Sequence, residues 1–227
     1  VARFIHLKIN TELKAGSQLT LINLAKASDT ASIFIEHEVS QKTNSFFIDG
    51  SYALQSNFFR HNLKIDLQEP EARCELLGVA LGKKEAYIEQ QLMLAHNAPN
   101  CYSNQFYKSI AMEHAQIVFH SKVRVDALAH NTKAYQKNNN LLLSSNAEID
   151  TKPELEIYNQ EVQCSHGATV GTLDEQALFY LQARGIDLEQ AKEIVMIAFI
   201  NEILSQLTNL GLEPSLQEIL QDCFTKK

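Results

Sequence analysis

Ala86-Tyr87-Ile88, Ala115-Gln116-Ile117 and Ala147-Glu148-Ile149 repeat one short motif at spacings of 29 and 32 residues, and Ala31-Ser32-Ile33 stands 55 residues before the first of them, near two such steps. A period near 30 among short β-branched stretches suggests a solenoid in which each coil buries its apolar face on the next. The small alanine suits a tight corner and the isoleucine an interior position. An A-x-I triplet is a cheap match, so a two-sheet sandwich with accidental repeats is the competing architecture. The scarcity of glycine, 8 residues in 227, weighs against it, because hairpin-rich sandwiches use glycine in their primed turns.

Working outward, residues 19–24, 32–36 and 116–125 read as strands rich in β-branched and aromatic side chains, residues 4–9 as an imperfectly alternating strand and residues 155–162 as a half-alternating one. Residues 85–95 fit either a strand or a helix. Asn138-Asn139-Asn140 reads as the turn of a coil, since asparagine tolerates unusual backbone angles. Leu141-Leu142-Leu143 after it reads as a buried strand.

The period changes after Gly171. Thr172-Leu-Asp-Glu175 matches a capping box with Thr172 as N-cap. The helix it opens is expected to run to about Arg184, with Gly185 as a left-handed stop. Asp187 is placed to cap a second helix over about 188–209, and Pro214 to open a third over about 214–222. The second helix is apolar almost all round between 194 and 200, which suggests a lid clasped over the open end of the solenoid. The expected organisation is a β core over residues 1–171 and a helical domain over 172–227.

Composition narrows the function. Of the net charge of −7, residues 173–227 carry −5 with nine acids against four bases, so no basic stripe offers itself to nucleic acid. The longest apolar run, residues 194–200, is too short to cross a membrane. The four cysteines at 74, 101, 164 and 223 form no C-x-x-C pair and no disulfide framework, which favours a reducing, cytoplasmic setting. There is no phosphate-binding loop, nucleophile elbow or zinc helix, so any nucleotide chemistry is expected in another subunit. Val1-Ala2-Arg3-Phe4 reads like the middle of a strand and suggests a fragment of a longer protein.

The chemistry-bearing stretch is Cys164-Ser-His-Gly-Ala-Thr-Val-Gly171. In a strand, residues two apart share a face, so Cys164 and His166 project together, a sulfur donor beside a nitrogen donor. That pair suits iron, zinc or an iron–sulfur cluster, but a closed site needs three or four ligands. The remainder would come from elsewhere, including a partner chain. Cysteine is also an ordinary small core residue. The carboxylate pairs Glu36/Glu38 and Glu154/Glu156 sit at strand spacing, as in a β-helix carbohydrate-active enzyme, although their basic neighbours favour solvated charge.

Three stretches, Asp150-Thr-Lys-Pro-Glu-Leu-Glu-Ile157, Cys164 to Gly171 and Leu178-Phe-Tyr-Leu-Gln-Ala-Arg-Gly-Ile186, with Gln136 and Asn140-Leu-Leu-Leu-Ser144 before them, resemble in order and spacing the SufB/SufD family of iron–sulfur cluster assembly proteins. They cover residues 130–205, while residues 1–129 match only in general character. The resemblance implies a mostly β fold, a right-handed parallel β-helix followed by a small helical domain. Ala147 stands where the SufB branch carries a cysteine, and Cys164-Ser-His-Gly-Ala-Thr169 also departs from that branch, so the chain looks like the SufD branch without its N-terminal region. The implied role is a non-enzymatic scaffold that pairs with a SufB-like β-helix and binds a SufC-like ATPase. On this reading His166, then Cys164, would hold iron or a nascent cluster transiently at a shared interface. The ATPase would meet Thr172, Asp174, Phe179, Tyr180, Arg184 and Gly185, and the isolated chain would self-pair into a dimer. No nucleotide, nucleic acid or membrane is implied for this chain.

Overall fold

A computed structural model describes residues 3–26 and 31–209, together with Ile219 and Cys223. Among the described residues twelve strands precede two helices: β1 (Arg3–Leu13), β2 (Gln18–Lys26), β3 (Ala31–Gln41), β4 (Phe46–Gln55), β5 (Phe58–Leu67), β6 (Arg73–Gly82), β7 (Tyr87–His96), β8 (Tyr102–Ala111), β9 (Gln116–Val125), β10 (Thr132–Leu142), β11 (Glu148–Ile157), β12 (Val162–Gly171), α1 (Glu175–Gln182) and α2 (Leu188–Asn209). The odd strands form one six-stranded parallel sheet and the even strands another. Parallel neighbours need a crossover of a dozen or more residues, and here each crossover is a strand of the opposite sheet. The result is a parallel β-solenoid of six coils.

The opening motif marks its corners. Ile33, Phe59, Ile88, Ile117 and Ile149 lie side by side in one inward column of the odd sheet. The 55-residue gap therefore hides a coil, in which Phe59 stands for isoleucine. Ala31, Ala86, Ala115 and Ala147 are all buried at the start of their strands. At the first five of the six turns from an odd to an even strand the chain passes through a left-handed residue: Gly16 (φ 70°), Asn44 (53°), Glu71 (65°), Asn100 (61°) and Asn131 (56°). Three of these five are asparagine, the residue that reaches this region most readily after glycine, which is how the solenoid manages with so little glycine. Each of those backbone N–H groups donates to the next coil, as Asn100 N does to His130 O at 2.9 Å.

The helices occupy a different place from the one the sequence suggested. Instead of closing the end of the solenoid, α2 lies against the outer face of the even sheet. There Met196, Ile200, Ile203 and Leu204 pack on Tyr52, Leu77, Val79, Phe106 and Ile110. Burial of such side chains is worth roughly 1.5–3 kcal/mol each, so packing rather than helix propensity holds α2. Lys108, 3% exposed, sits in the same seam. Its ammonium donates to the Phe199 carbonyl and to Glu202, between the rings of Phe106 and Phe199. Lys137 reaches Glu202 from the next coil at 3.2 Å.

Other expectations also change. Asn138 and Asn140 lie inside β10, not in a turn, and their buried amide nitrogens find acceptors. Asn140 Nδ2 donates to Asn138 Oδ1 and Thr169 O, and Asn138 Nδ2 to Tyr107 O. Residues 158–161 break the expected 155–162 strand into the end of β11 and the start of β12. Residues 87–96 are a strand. The N-cap of α1 is Asp174, not Thr172: its Oδ1 accepts from Gln176 N (2.9 Å) and Ala177 N (3.4 Å). Asp187 caps α2 as expected, accepting from Glu189 N and Gln190 N, and Gly185 has φ 87°. The expected third helix falls, apart from Ile219, outside the described residues.

Candidate functional site

β12 is the last strand of the even sheet, so nothing among the described residues stacks beyond it. Its inward residues continue columns built by earlier coils. Cys164 follows Cys74, Ser103 and Ala134, and His166 follows Leu76, Gln105 and Gln136. In inner coils those columns are sealed in the core. At the final coil the same inward direction leads to the open end. Cys164 is therefore half-buried against the apolar core, and His166 is exposed. The sequence placed the two on one face, and the structure puts that face at the end of the solenoid.

The chemistry of the pair is incomplete by itself. Burial pushes the Cys164 thiol above its ordinary value, and contact with the Ala134 backbone offsets part of that. The thiol thus stays protonated until a metal or another cation draws off its proton. Cys74 and Cys101 are fully buried and their thiols are pushed up as well, Cys101 to about 11, chiefly by burial. Cys164 is the accessible thiol among the described residues. No three His, Cys, Asp or Glu side chains among them converge as a metal cage.

The second candidate surface is α1. The helix buries none of its residues, and Phe179 and Tyr180 are 73% and 55% exposed. Arg184 lies 4.4 Å from the Tyr180 ring, and Gly185 N donates to Gln182 O where the helix ends. Asp174 is occupied as a cap, and Thr172 lies in the exposed connection from β12. Phe179, Tyr180 and Arg184 are the members of this set whose side chains face solvent with chemistry to offer.

The paired carboxylates lie on the outer face of the odd sheet, and Glu36, Glu154 and Glu156 are tied to bases. Glu36 binds His6 (3.0 Å), Glu156 binds Lys122 (2.6 Å), and Glu154 binds Lys152 (2.7 Å) and His120 (2.9 Å). Lys152 and His120 hold Glu154 at about 2, far below what a general acid at neutral pH requires.

Sequence reasoning missed two polar systems. One is the Lys108–Glu202 anchor, whose only signal is a lysine between Phe106 and Ile110 on an otherwise apolar face. The other is the polar lumen. His37, His61 and His96 are buried there, with Ser51 Oγ 3.2 Å from His61 Nδ1 and Gln90 Nε2 donating to Ser51. Toward the open end, Gln105, Ser121 and Gln136 form a buried chain.

The class of protein is a parallel β-solenoid flanked by helices. The family model for the SUF system FeS cluster assembly, SufBD core domain, matches residues 4–199, and the chain belongs to that family. It is 31% identical to the iron-sulfur cluster assembly protein SufD of Escherichia coli over 210 residues, 92% of this chain and 50% of that protein. It is 39% identical over 165 residues to a SufBD family protein of Synechocystis, covering 73% of this chain and 36% of the relative. It is 36% identical over 151 residues to the chloroplastic protein ABCI7 of Arabidopsis thaliana, covering 66% and 32%. The chain thus spans half the length, or less, of these relatives. Among the described residues no helix is long and apolar enough to cross a membrane.

Proposed function

We propose that this chain is the core of a SufD-like scaffold that helps assemble iron–sulfur clusters without itself catalysing a reaction or binding nucleotide. Iron or a nascent cluster is cargo, held transiently by His166 and Cys164 and completed by a ligand from a SufB-like β-helix that meets the open coil. The observation that carries this reading is the placement of a two-donor set on the terminal coil, too few ligands for a closed site and facing where another chain can add to them. A SufC-like ATPase docks on the helical domain 172–227 through Phe179, Tyr180 and Arg184, with Thr172, Asp174 and Gly185 shaping the backbone they stand on. Movement of that ATPase opens and closes the shared site. The isolated chain pairs with itself through the terminal strands of its two sheets, β11 and β12. The setting is cytoplasmic.

The test uses the full-length protein co-expressed with its partner subunits. His166→Ala and Cys164→Ala should each lower cluster maturation about tenfold or more, in line with the loss of a metal ligand, while leaving the unfolding midpoint unchanged. Undiminished maturation in both variants rejects the site. Phe179→Ala with Tyr180→Ala should abolish ATPase co-purification, and retention of the ATPase rejects the docking surface.

A further inference from the structure

Gln136 lies one rung below His166 in the same inward column and is 4% exposed. Its amide is fixed from the facing sheet. Nε2 donates to Ser121 O at 3.1 Å and to Ser121 Oγ at 2.8 Å, and Ser121 Oγ in turn donates to Gln105 Oε1. A flipped amide would set Oε1 against the Ser121 carbonyl, acceptor against acceptor, so the orientation follows from the hydrogen-bond network. Oε1 is consequently left buried with no partner among the described residues. An orphaned acceptor of this kind is destabilising, because its lost hydration is not replaced.

The neighbouring rungs decide what can relieve it. Adjacent strands lie about 4.8 Å apart, so a side chain one rung away is within reach of a hydrogen bond. Below stands Gln105, whose Nε2 is also unpartnered among the described residues. A carbonyl oxygen has two lone pairs, so a bond from Gln105 leaves one free. Above stands His166, whose ring is exposed and makes no hydrogen bond to another described residue. An imidazole has one N–H to give when neutral and a second nitrogen left over as a lone pair.

The two side chains are not hydrogen-bonded in this structure; we propose that rotation of the His166 side chain brings them together and makes Gln136 its positioning residue, with Oε1 accepting one imidazole N–H, fixing the tautomer and turning the other ring nitrogen outward past the end of the solenoid. Metal-bound histidines commonly give their second N–H to an acceptor of this kind. Here the acceptor is braced by Ser121 and Gln105 inside the lumen, so the rigid coils set the direction of a side chain that otherwise hangs free. The consequence for metal binding rests on His166 being a ligand, as argued above. The hydrogen bond itself does not.

The experiment is nitrogen-15 NMR of ring-labelled histidines in the full-length protein, with the His166 signals assigned by their loss in His166→Ala. Wild type should show one neutral tautomer dominant by about tenfold, the ratio an acceptor worth about 1.4 kcal/mol would impose. Gln136→Met, which keeps the length but removes the acceptor, should relax that ratio toward that of a free imidazole. Ser121→Ala should relax it part of the way. An unchanged ratio in folded Gln136→Met overturns the proposal. Should that variant not fold, a crystal structure of the wild-type assembled complex decides: a His166 ring nitrogen within 3.2 Å of Gln136 Oε1 supports the bond, and one beyond 3.5 Å overturns it. Binding of cobalt ion, as a spectroscopic probe, should weaken about 10- to 100-fold in Gln136→Met. A relaxed tautomer with unchanged cobalt binding would uphold the orienting bond and count against His166 as a ligand.

Discussion

The Lys108 ammonium and the Glu202 carboxylate join the solenoid to its flanking helix through an ion pair with one end buried and the other half in water, their side chains being 3% and 50% exposed. The asymmetry fixes which partner is expendable. Glu202→Ala strands a buried cation with only the Phe199 carbonyl and two rings, and should cost about 3 kcal/mol. Lys108→Met leaves a carboxylate that water and Lys137 still solvate, and fills the seam with apolar volume. It should cost about 1 kcal/mol or less. Urea unfolding of the two variants checks this, and equal losses would contradict the assignment of burial.

Gly78 faces the Tyr107 ring so closely that a Cβ built there would lie 2.1 Å from Cε1. Tyr107 is buried and its ring centroid is 5.0 Å from that of Phe119, so it has nowhere to retreat. Gly78→Ala should cost about 1–3 kcal/mol through overpacking. In a Tyr107→Leu background the same substitution should cost little. Additive losses in that double-mutant cycle would show that the ring is not the obstacle.

Stability should depend on pH through the lumen. Burial holds His37 and His96 at about 4, and burial with the nearby His37 charge holds His61 at about 3, against an ordinary 6.5. Burial holds Asp49 at about 7 against 3.8, with the Asn23 hydrogen bond offsetting part of the rise. Between about pH 4 and 6.5 the unfolded chain takes up three protons at the histidines and releases one from Asp49, a net uptake of two. Stability therefore falls as pH drops through that window, by about 1.4 kcal/mol per net proton per pH unit. Asp49→Asn removes the opposing proton and should steepen the fall. Urea midpoints measured across the window test the sign, and a flatter profile in Asp49→Asn would reverse it.

Cys164 should be the first of the described thiols to react with iodoacetamide, because Cys74, Cys101 and Cys223 are buried. Its raised pKa should still make it slower than free cysteine at neutral pH. Addition of the β-helix partner should protect it. Mass spectrometry of the modified peptides follows all three effects, and labelling at Cys74 before Cys164 would contradict the order.

The parts of the fold that were legible in the sequence are those where one face meets water. Residues 116–125 alternate cleanly because β9 has a solvated outer side, and the expected strand matches the observed one. β6 and β8 were invisible because α2 covers their outer face. Leu76 through Leu81 is buried at every position, so no alternation exists to read. Asn138 and Asn140 misled for a related reason, since turn propensity describes a solvated chain and the lumen offers their amides buried partners. The Cys164 and His166 pair was legible as a shared face. Its position at the open coil was not, because it depends on how many coils stack beneath it.

The lumen's irregular chemistry has a consequence for how the coils find one another. Six near-identical apolar rungs could stack one turn out of step with little loss, and a growing solenoid would have many almost equivalent alignments. Here Ser51 meets His61, and Gln136 meets Ser121, each in one alignment only. A slipped coil would bury those groups against hydrocarbon, so the scattered polar pairs act as an address on each rung.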